Sequence, residues 1–186
     1  FEKDKLGEKL LSRLGLKSKN KDMREWRKMA LSSRKAKQIV KIGIVGKYFA
    51  TGDFVLEDSY ISVIEAIKHA SWVNKCIPEI HWLSAESYEK NAGSLKELKE
   101  YDGIIVPGGF GSRGIEGKIK AIEFCRTNKI PFLGLCLGMQ LAVIEFARNV
   151  CKLKGANSAE FDPKSPKLVI DVMPEQKALL SEKKYG

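Results

Sequence analysis

A cysteine lies between two glycines where a predicted strand meets a predicted helix. The apolar residues 130–135 predict a buried strand, and residues 137–148 have the apolar spacing of a helix. Between them the sequence Gly-Leu-Cys-Leu-Gly centres on Cys136. Glycines permit tight backbone turns, so the pattern predicts a sharp strand-to-helix corner with the thiol at its tip. The chain must therefore adopt a fold in which a helix follows a strand with only a tight turn between them.

The same corner predicts a nucleophile. A serine at such a turn is the nucleophile elbow of hydrolases, and here a cysteine takes its place. The positive end of the following helix attracts negative charge on the sulfur, and the N–H of Leu137 is available to a developing oxyanion. The alternative is a small buried core residue, as most free cysteines are. Because the flanking glycines exceed what packing needs, we favour Cys136 as a nucleophile.

Strands alternate with helices from residue 39 onward. This order predicts parallel βαβ units, and therefore an α/β fold with an open, mostly parallel sheet and helices on both faces. Binding sites in such sheets lie at the carboxyl ends of the strands. The glycine-rich turn 107–111 and the Cys136 turn both follow strands, so they meet if those strands are neighbours. The predicted strands are 39–46, 77–83, 103–106, 130–135 and 168–172, and the predicted helices are 1–16, 22–38, 56–74, 95–99, 115–127 and 137–148.

The composition excludes several classes of protein. The net charge of +10 lies mostly before residue 42, without the interleaved aromatic residues of a nucleic-acid surface, so we predict a solvated linker or a surface for an acidic domain. Four cysteines without a C-x-x-C pair, and two histidines, argue against a metal site and for reduced thiols. No apolar run reaches the roughly 20 residues of a membrane span, and no signal peptide is visible. We therefore predict a cytoplasmic protein that binds neither nucleic acid nor a membrane.

A thiol nucleophile needs an oxyanion hole and a base. The turn 107–114 lacks the spacing of known phosphate-binding loops, and we predict instead that Gly109 lends a second N–H to the oxyanion, with an ordinary turn as the alternative. The two histidines, His69 and His81, are placed by no motif, and we interpret both as structural. The sequence thus has a candidate nucleophile and oxyanion hole without a convincing base.

Five segments carry a resemblance to a known family. They are KIGIVGKY, EDSYISVIEAIKHA, YDGIIVPGGFGSRGIEGKI, PFLGLCLGMQLAVIEFARNV and ANSAEFDP. Together they resemble the class I glutamine amidotransferase domain of the CTP synthase family, over about residues 39–175. Residues 1–38 resemble the end of the synthase domain with a basic interdomain linker. Residues 39–186 resemble the amidotransferase domain, which we expect to be incomplete at its C-terminus.

The resemblance implies roles for particular residues. Cys136 matches the nucleophile that forms a glutamyl thioester and releases ammonia, and Gly109 and Leu137 match the oxyanion donors. Phe110 and Arg113 lie in the loop that lines the site of GTP, the allosteric activator. The positions that match glutamine-binding residues are Gly109, Leu137, Gly138, Met139, Gln140 and Glu160, of which Glu160 is suited to hold the α-ammonium group.

The resemblance also implies a whole enzyme. In this family a cytoplasmic homotetrameric ligase of pyrimidine biosynthesis converts UTP to CTP, using L-glutamine, with ATP and Mg²⁺ bound in the synthase domain of the same chain. The family's base is a His-x-Glu pair, which the 186-residue sequence does not contain, so we expect this segment alone to be inactive. Two alternatives stay open: a hydrolase or peptidase with a cysteine elbow, and a non-catalytic binding module.

Overall fold

A computed structural model of the protein describes residues 3–17, 22–46, 60–109 and 111–181. Two helices come first, α1 (Leu6–Arg13) and α2 (Arg24–Lys35), both shorter than predicted. Neither helix has a buried residue, and the apolar face of α1 is exposed. The second helix contacts α3 (Ile61–Val73), the first helix of the α/β unit.

A four-stranded parallel sheet forms the centre of the molecule. Its strands are β1 (Gln38–Gly46), β2 (Cys76–Ser84), β3 (Gly103–Val106) and β4 (Phe132–Gly134), in the order β2-β1-β3-β4. All three pairs of neighbouring strands are parallel, which confirms the predicted sheet. Val106 is in register with Gly134. The glycine-rich turns that follow β3 and β4 therefore lie side by side at the carboxyl ends of the strands.

Helices cover both faces of this sheet, as predicted. Ile44 points to one face, where it packs with Ile67 of α3 and with Tyr60, the residue just before that helix. Val45 points to the other face because successive strand residues alternate. There it belongs to a larger core with α5 (Ile115–Asn128) and α6 (Leu137–Asn149).

The segment between β2 and β3 differs from the prediction. In place of one short helix at residues 95–99, the chain forms α4 (Ala85–Lys90) and then a 3-10 helix, Ala92–Glu100. Tyr88 is fully buried and donates a hydrogen bond to the Glu97 carboxylate at 2.7 Å, which ties the two helices together. Propensity alone did not indicate α4, because its stability depends on this tertiary contact.

The end of the described chain also differs. The predicted strand at residues 168–172 exists as β6 (Leu168–Ile170), but it pairs with β5 (Asn157–Ser158) in a separate two-stranded sheet. The sequence did not predict β5, because two polar residues carry no strand pattern. It also missed α7 (Pro174–Ser181). The predicted loop 47–54 and the start of the predicted helix 56–74 lie outside the described residues.

The α4 and α5 helices approach each other at a glycine. A Cβ on Gly117 would lie 1.8 Å from the carbonyl oxygen of Ala85, so only glycine fits this crossing. One carboxylate oxygen of Glu89 accepts hydrogen bonds from the N–H groups of Glu116, at 3.1 Å, and Gly117, at 3.4 Å. These bonds satisfy free N–H groups at the start of α5 and fix the helix that follows the glycine-rich turn.

Replacing Gly117 by alanine should therefore lower the free energy of unfolding by about 3 kcal/mol, because the obstacle is rigid backbone. Urea denaturation followed by circular dichroism measures the loss. Gly7→Ala is the matched control, since a Cβ at Gly7 meets nothing within 4 Å. Equal stability of the Gly117 variant and the wild type would show that α4 can move away from α5 without cost.

Candidate active site

Cys136 has a strained backbone and an exposed side chain. Its φ is 51° and its ψ is −106°, a combination that non-glycine residues rarely adopt. Such strain costs about 1–3 kcal/mol and persists where the surrounding structure imposes it, often at functional sites. The residue immediately precedes α6, and its thiol is exposed to solvent. This is the geometry of the predicted strand-to-helix corner.

The flanking glycines are required by close backbone contacts. A Cβ on Gly134 would lie 2.6 Å from the carbonyl oxygen of Gly138. A Cβ on Gly138 would lie 1.9 Å from the carbonyl oxygen of Val106 at the end of β3. The first glycine lets the turn fold back on α6, and the second lets α6 lie directly against the neighbouring strand.

The two predicted oxyanion donors lie on adjoining turns. A Cβ built on Gly108 would lie 3.5 Å from the Cβ of Cys136 and 4.0 Å from its Sγ. One built on Gly109 would lie 3.6 Å from Cδ2 of Leu137. The Leu137 N–H is the first of α6 and has no acceptor within the helix, and among the described residues no carbonyl outside the helix accepts from it. The arrangement is suited to an oxyanion beside the Cys136 sulfur.

Lys118 is a residue of this region that the sequence analysis missed. Its side chain is fully buried, and its Nζ would lie 3.8 Å from a Cβ on Gly109. A nitrogen donor therefore lies behind the turn that carries the second predicted oxyanion donor. The sequence held a signal for it, because Lys118 takes an apolar-face position at helical spacing from Ile115 and Ile122.

The two histidines contact other parts of the described fold. His81 lies on β2 and Cys136 follows β4, so three strand spacings, at least about 14 Å, separate them across the sheet. The His81 ring contacts the Glu79 carboxylate at 3.0 Å and stacks edge-on with Tyr101. His69 lies on α3 and stacks with Trp72. These contacts agree with the structural interpretation of both residues.

The predicted glutamine-binding residues fall in three segments: Gly109 lies in the turn after β3, four residues begin α6, and Glu160 lies after β5. Met139 and Gln140 belong to the first turn of α6, where the Gln140 N–H donates to the Cys136 carbonyl at 3.1 Å. Glu160 follows β5 and is exposed, and its N–H donates to the Ser158 hydroxyl at 3.1 Å. The small sheet that contains β5 packs against α6. The same helix therefore carries Gln140 and supports the segment of Glu160.

The predicted effector loop is described in part. The Nε of Arg113 lies 2.8 Å from a carboxylate oxygen of Glu86 on α4, in an ion pair whose arginine is largely exposed. Phe110 lies outside the described residues. Both predicted roles toward GTP stay predictions.

A large apolar groove lies next to this site, and Leu135, the residue before Cys136, is in its lining. It has a volume of about 660 Å³ and follows the α3 face of the sheet, with Val40, Ile42 and Leu133 in its lining. Cys136 does not line it. Within the described ranges, no three histidine, cysteine or acidic side chains are arranged to hold a metal ion, and no helix is long and apolar enough to cross a membrane.

Fold and site together define the class of protein. The profile of the glutamine amidotransferase class-I family matches residues 55–171, and the chain belongs to this family. More particularly, it is similar to CTP synthases: 53% identical over 178 residues to that of Caldanaerobacter subterraneus, covering 95% of this chain, and 56% identical over 151 residues to that of Methanosarcina barkeri, covering 81%.

A solved structure supports the same relationship. The glutaminase domain of Trypanosoma brucei CTPS with bound acivicin superposes with a TM-score of 0.66 at 39% sequence identity. The match covers 73% of this chain and 50% of that one. The chain spans about a third of the length of the Caldanaerobacter relative (32%) and 27% of the Methanosarcina one.

Selective alkylation tests the assignment of Cys136. With iodoacetamide at neutral pH, we expect Cys136 to react first, because it is exposed at the N-terminus of α6. Cys125 should not react in the folded protein, since burial raises the pKa of its thiol to about 12. Peptide mapping by mass spectrometry gives the order of labelling. Cys151, which is also exposed, is the internal reference, and faster labelling of Cys151 or of Cys125 would contradict the assignment.

Proposed function

We propose that this chain is the glutaminase part of a CTP synthase. It would hydrolyse L-glutamine and supply ammonia to a synthase domain that aminates UTP to CTP with ATP. The observation that carries the proposal is the strained, exposed Cys136 beside the Gly109 and Leu137 turns. Membership of the class-I amidotransferase family and similarity to CTP synthases support it.

The proposed chemistry begins at the sulfur. The Cys136 thiolate attacks the side-chain amide carbon of glutamine, and the carbonyl electrons move to oxygen, where the N–H groups of Leu137 and Gly109 receive the charge. The intermediate collapses as the C–N bond breaks and the nitrogen takes a proton, which leaves a glutamyl thioester and ammonia. Water then adds to the thioester, breaks the C–S bond and releases glutamate. The thiol is regenerated.

Proton transfer needs a base that the described residues do not offer. A base must accept the thiol proton and deliver it to the departing nitrogen, a contribution of about 10²–10⁴-fold. His69 contacts Trp72, and His81, on the strand farthest from β4, contacts Glu79 and Tyr101. We propose that a His-x-Glu pair elsewhere in the whole protein has this role.

The rest of the proposed site binds substrate and effector. Glu160 would pair with the α-ammonium group of glutamine, and Gly138, Met139 and Gln140 would contact the substrate beside the sulfur. GTP would bind at the loop of Phe110 and Arg113, where its phosphates compete with Glu86 for the Arg113 guanidinium. ATP and Mg²⁺ would bind in the synthase domain of a homotetrameric cytoplasmic enzyme.

Replacing the nucleophile tests the proposal directly. In the full-length enzyme, Cys136→Ala should lower glutamine-dependent CTP formation by at least about 10³-fold and leave ammonia-dependent formation intact, because the thiol only generates ammonia. CTP formation is followed spectrophotometrically with each nitrogen source. Cys151→Ala is the control, since that thiol is also exposed. Equal loss with both nitrogen sources would assign Cys136 to the fold or to the synthase reaction instead.

Glu160 should act in binding. Because a hydrogen bond to a charged group contributes about 1.5–3 kcal/mol, Glu160→Ala should raise KM for glutamine about 10- to 100-fold with a smaller change in kcat. Steady-state glutaminase kinetics separate the two constants. Glu175→Ala, at an exposed carboxylate on α7, is the control and should change neither. A collapse of kcat at unchanged KM would place Glu160 in the chemistry.

A further inference from the structure

One guanidinium connects the three segments that carry the proposed site. Arg148 lies on α6, the helix that begins just after Cys136. Its Nε donates to the carbonyl oxygen of Ala156 at 2.7 Å, and its Nη1 donates to both carboxylate oxygens of Glu116, at 3.0 and 3.1 Å. Glu116 is in the first turn of α5, directly after the turn of Gly109, and Ala156 leads into β5 and Glu160.

The segment of Glu160 is outside the main sheet. Among the strands that the structure describes, β5 pairs with β6 alone, in the small second sheet. Within this segment the backbone is well ordered by local bonds: Ser158 is buried, and its hydroxyl and carbonyl oxygens accept from the N–H groups of Glu160 and Phe161. These bonds tie Glu160 to Ser158, two residues after Ala156, so the position of Ala156 constrains that of Glu160.

The bond to Ala156 is suited to hold that segment in place. Ala156 has no exposed surface, so its carbonyl needs a partner within the protein, and the Arg148 side chain is only 20% exposed. A charged donor makes a stronger bond to a carbonyl than a neutral one. The planar guanidinium also serves two acceptors in different directions, which a lysine cannot do with the same geometry.

Arg148 is too far from the sulfur to take part in the chemistry. It lies twelve residues after Cys136, which corresponds to about 18 Å along a helix. Any effect on catalysis must therefore pass through the segments that it holds.

We infer that Arg148 is a positioning residue for substrate binding, which holds the Ala156–Glu160 segment against α6 so that Glu160 meets the glutamine α-ammonium group. The inference rests on the proposed role of Glu160. Arg148 would thus connect α6, the helix that follows Cys136, to Glu160, the residue proposed to bind glutamine.

A double-mutant cycle in the full-length enzyme tests it. Arg148→Met keeps the apolar stem and removes the donors, so KM for glutamine should rise about tenfold with little change in kcat, because the interaction lost is one of binding. Combined with Glu160→Ala, it should add less than about twofold to the KM of Glu160→Ala alone, since both changes remove the same interaction. Arg148→Lys should recover part of the affinity. Ammonia-dependent CTP formation should stay at the wild-type level in Arg148→Met and in Arg148→Lys.

Arg126→Met is the matched control. Arg126 lies on α5 and its guanidinium binds the buried Glu145 carboxylate of α6, so it joins the same two helices without touching the Glu160 segment. We expect it to lower the melting temperature and leave KM unchanged. If Arg148→Met does not fold, Arg148→Lys and Arg126→Lys form the same comparison.

Three results would overturn the inference: an unchanged KM in Arg148→Met, an equal rise in Arg126→Met, or a full multiplication of the two KM effects in the double mutant. Failure of the proposed function gives a different result, because Glu160→Ala alone would then leave the KM for glutamine unchanged.

Discussion

The carbonyl of Val106 lies where a side chain on Gly138 would have to be, and the site depends on this contact. A Cβ there would come within 1.9 Å of the oxygen. The same carbonyl accepts the N–H of Leu135 at 2.9 Å, so the end of β3 holds both sides of the cysteine turn. Because β3 also leads into the turn of Gly108 and Gly109, one close backbone approach brings the thiol and both proposed oxyanion donors together.

Two ion pairs between α5 and α6 stabilise the packing of these helices next to the Cys136 corner. Glu145 is 1% exposed and receives a bidentate bond from Arg126, whose pKa is raised by that carboxylate. A buried carboxylate without its partner costs several kcal/mol, so the pair fixes how the helices rotate against each other. The second pair, Arg148 with Glu116, lies nearer the start of α5 and extends this support to the small sheet. The same two helices therefore carry structural and proposed functional ion pairs.

The sequence predicted the central sheet well and the connections poorly. β1 and β3 are short β-branched runs bounded by glycine or polar residues, so pattern alone located them within one residue. The α4 helix was missed because it depends on the buried Tyr88 and its bond to Glu97, and β5 because Asn157 and Ser158 pair through backbone that has no sequence signature. Helical spacing places Lys118 on the apolar face of α5, but that its amine lies behind the Gly109 turn depends on tertiary packing.

The sequence by itself determined the corner at Cys136. Glycine is the residue without a Cβ, and two glycines beside a cysteine, between an apolar strand and an apolar helix, leave few other conformations. The tertiary structure decided which strands are neighbours, and so which turn faces the thiol. It also decided that Arg148 reaches Ala156 and Glu116, because a long side chain selects its partners only after helices and sheets have packed. Local backbone sterics follow directly from the sequence, whereas contacts between distant segments form only when the chain folds.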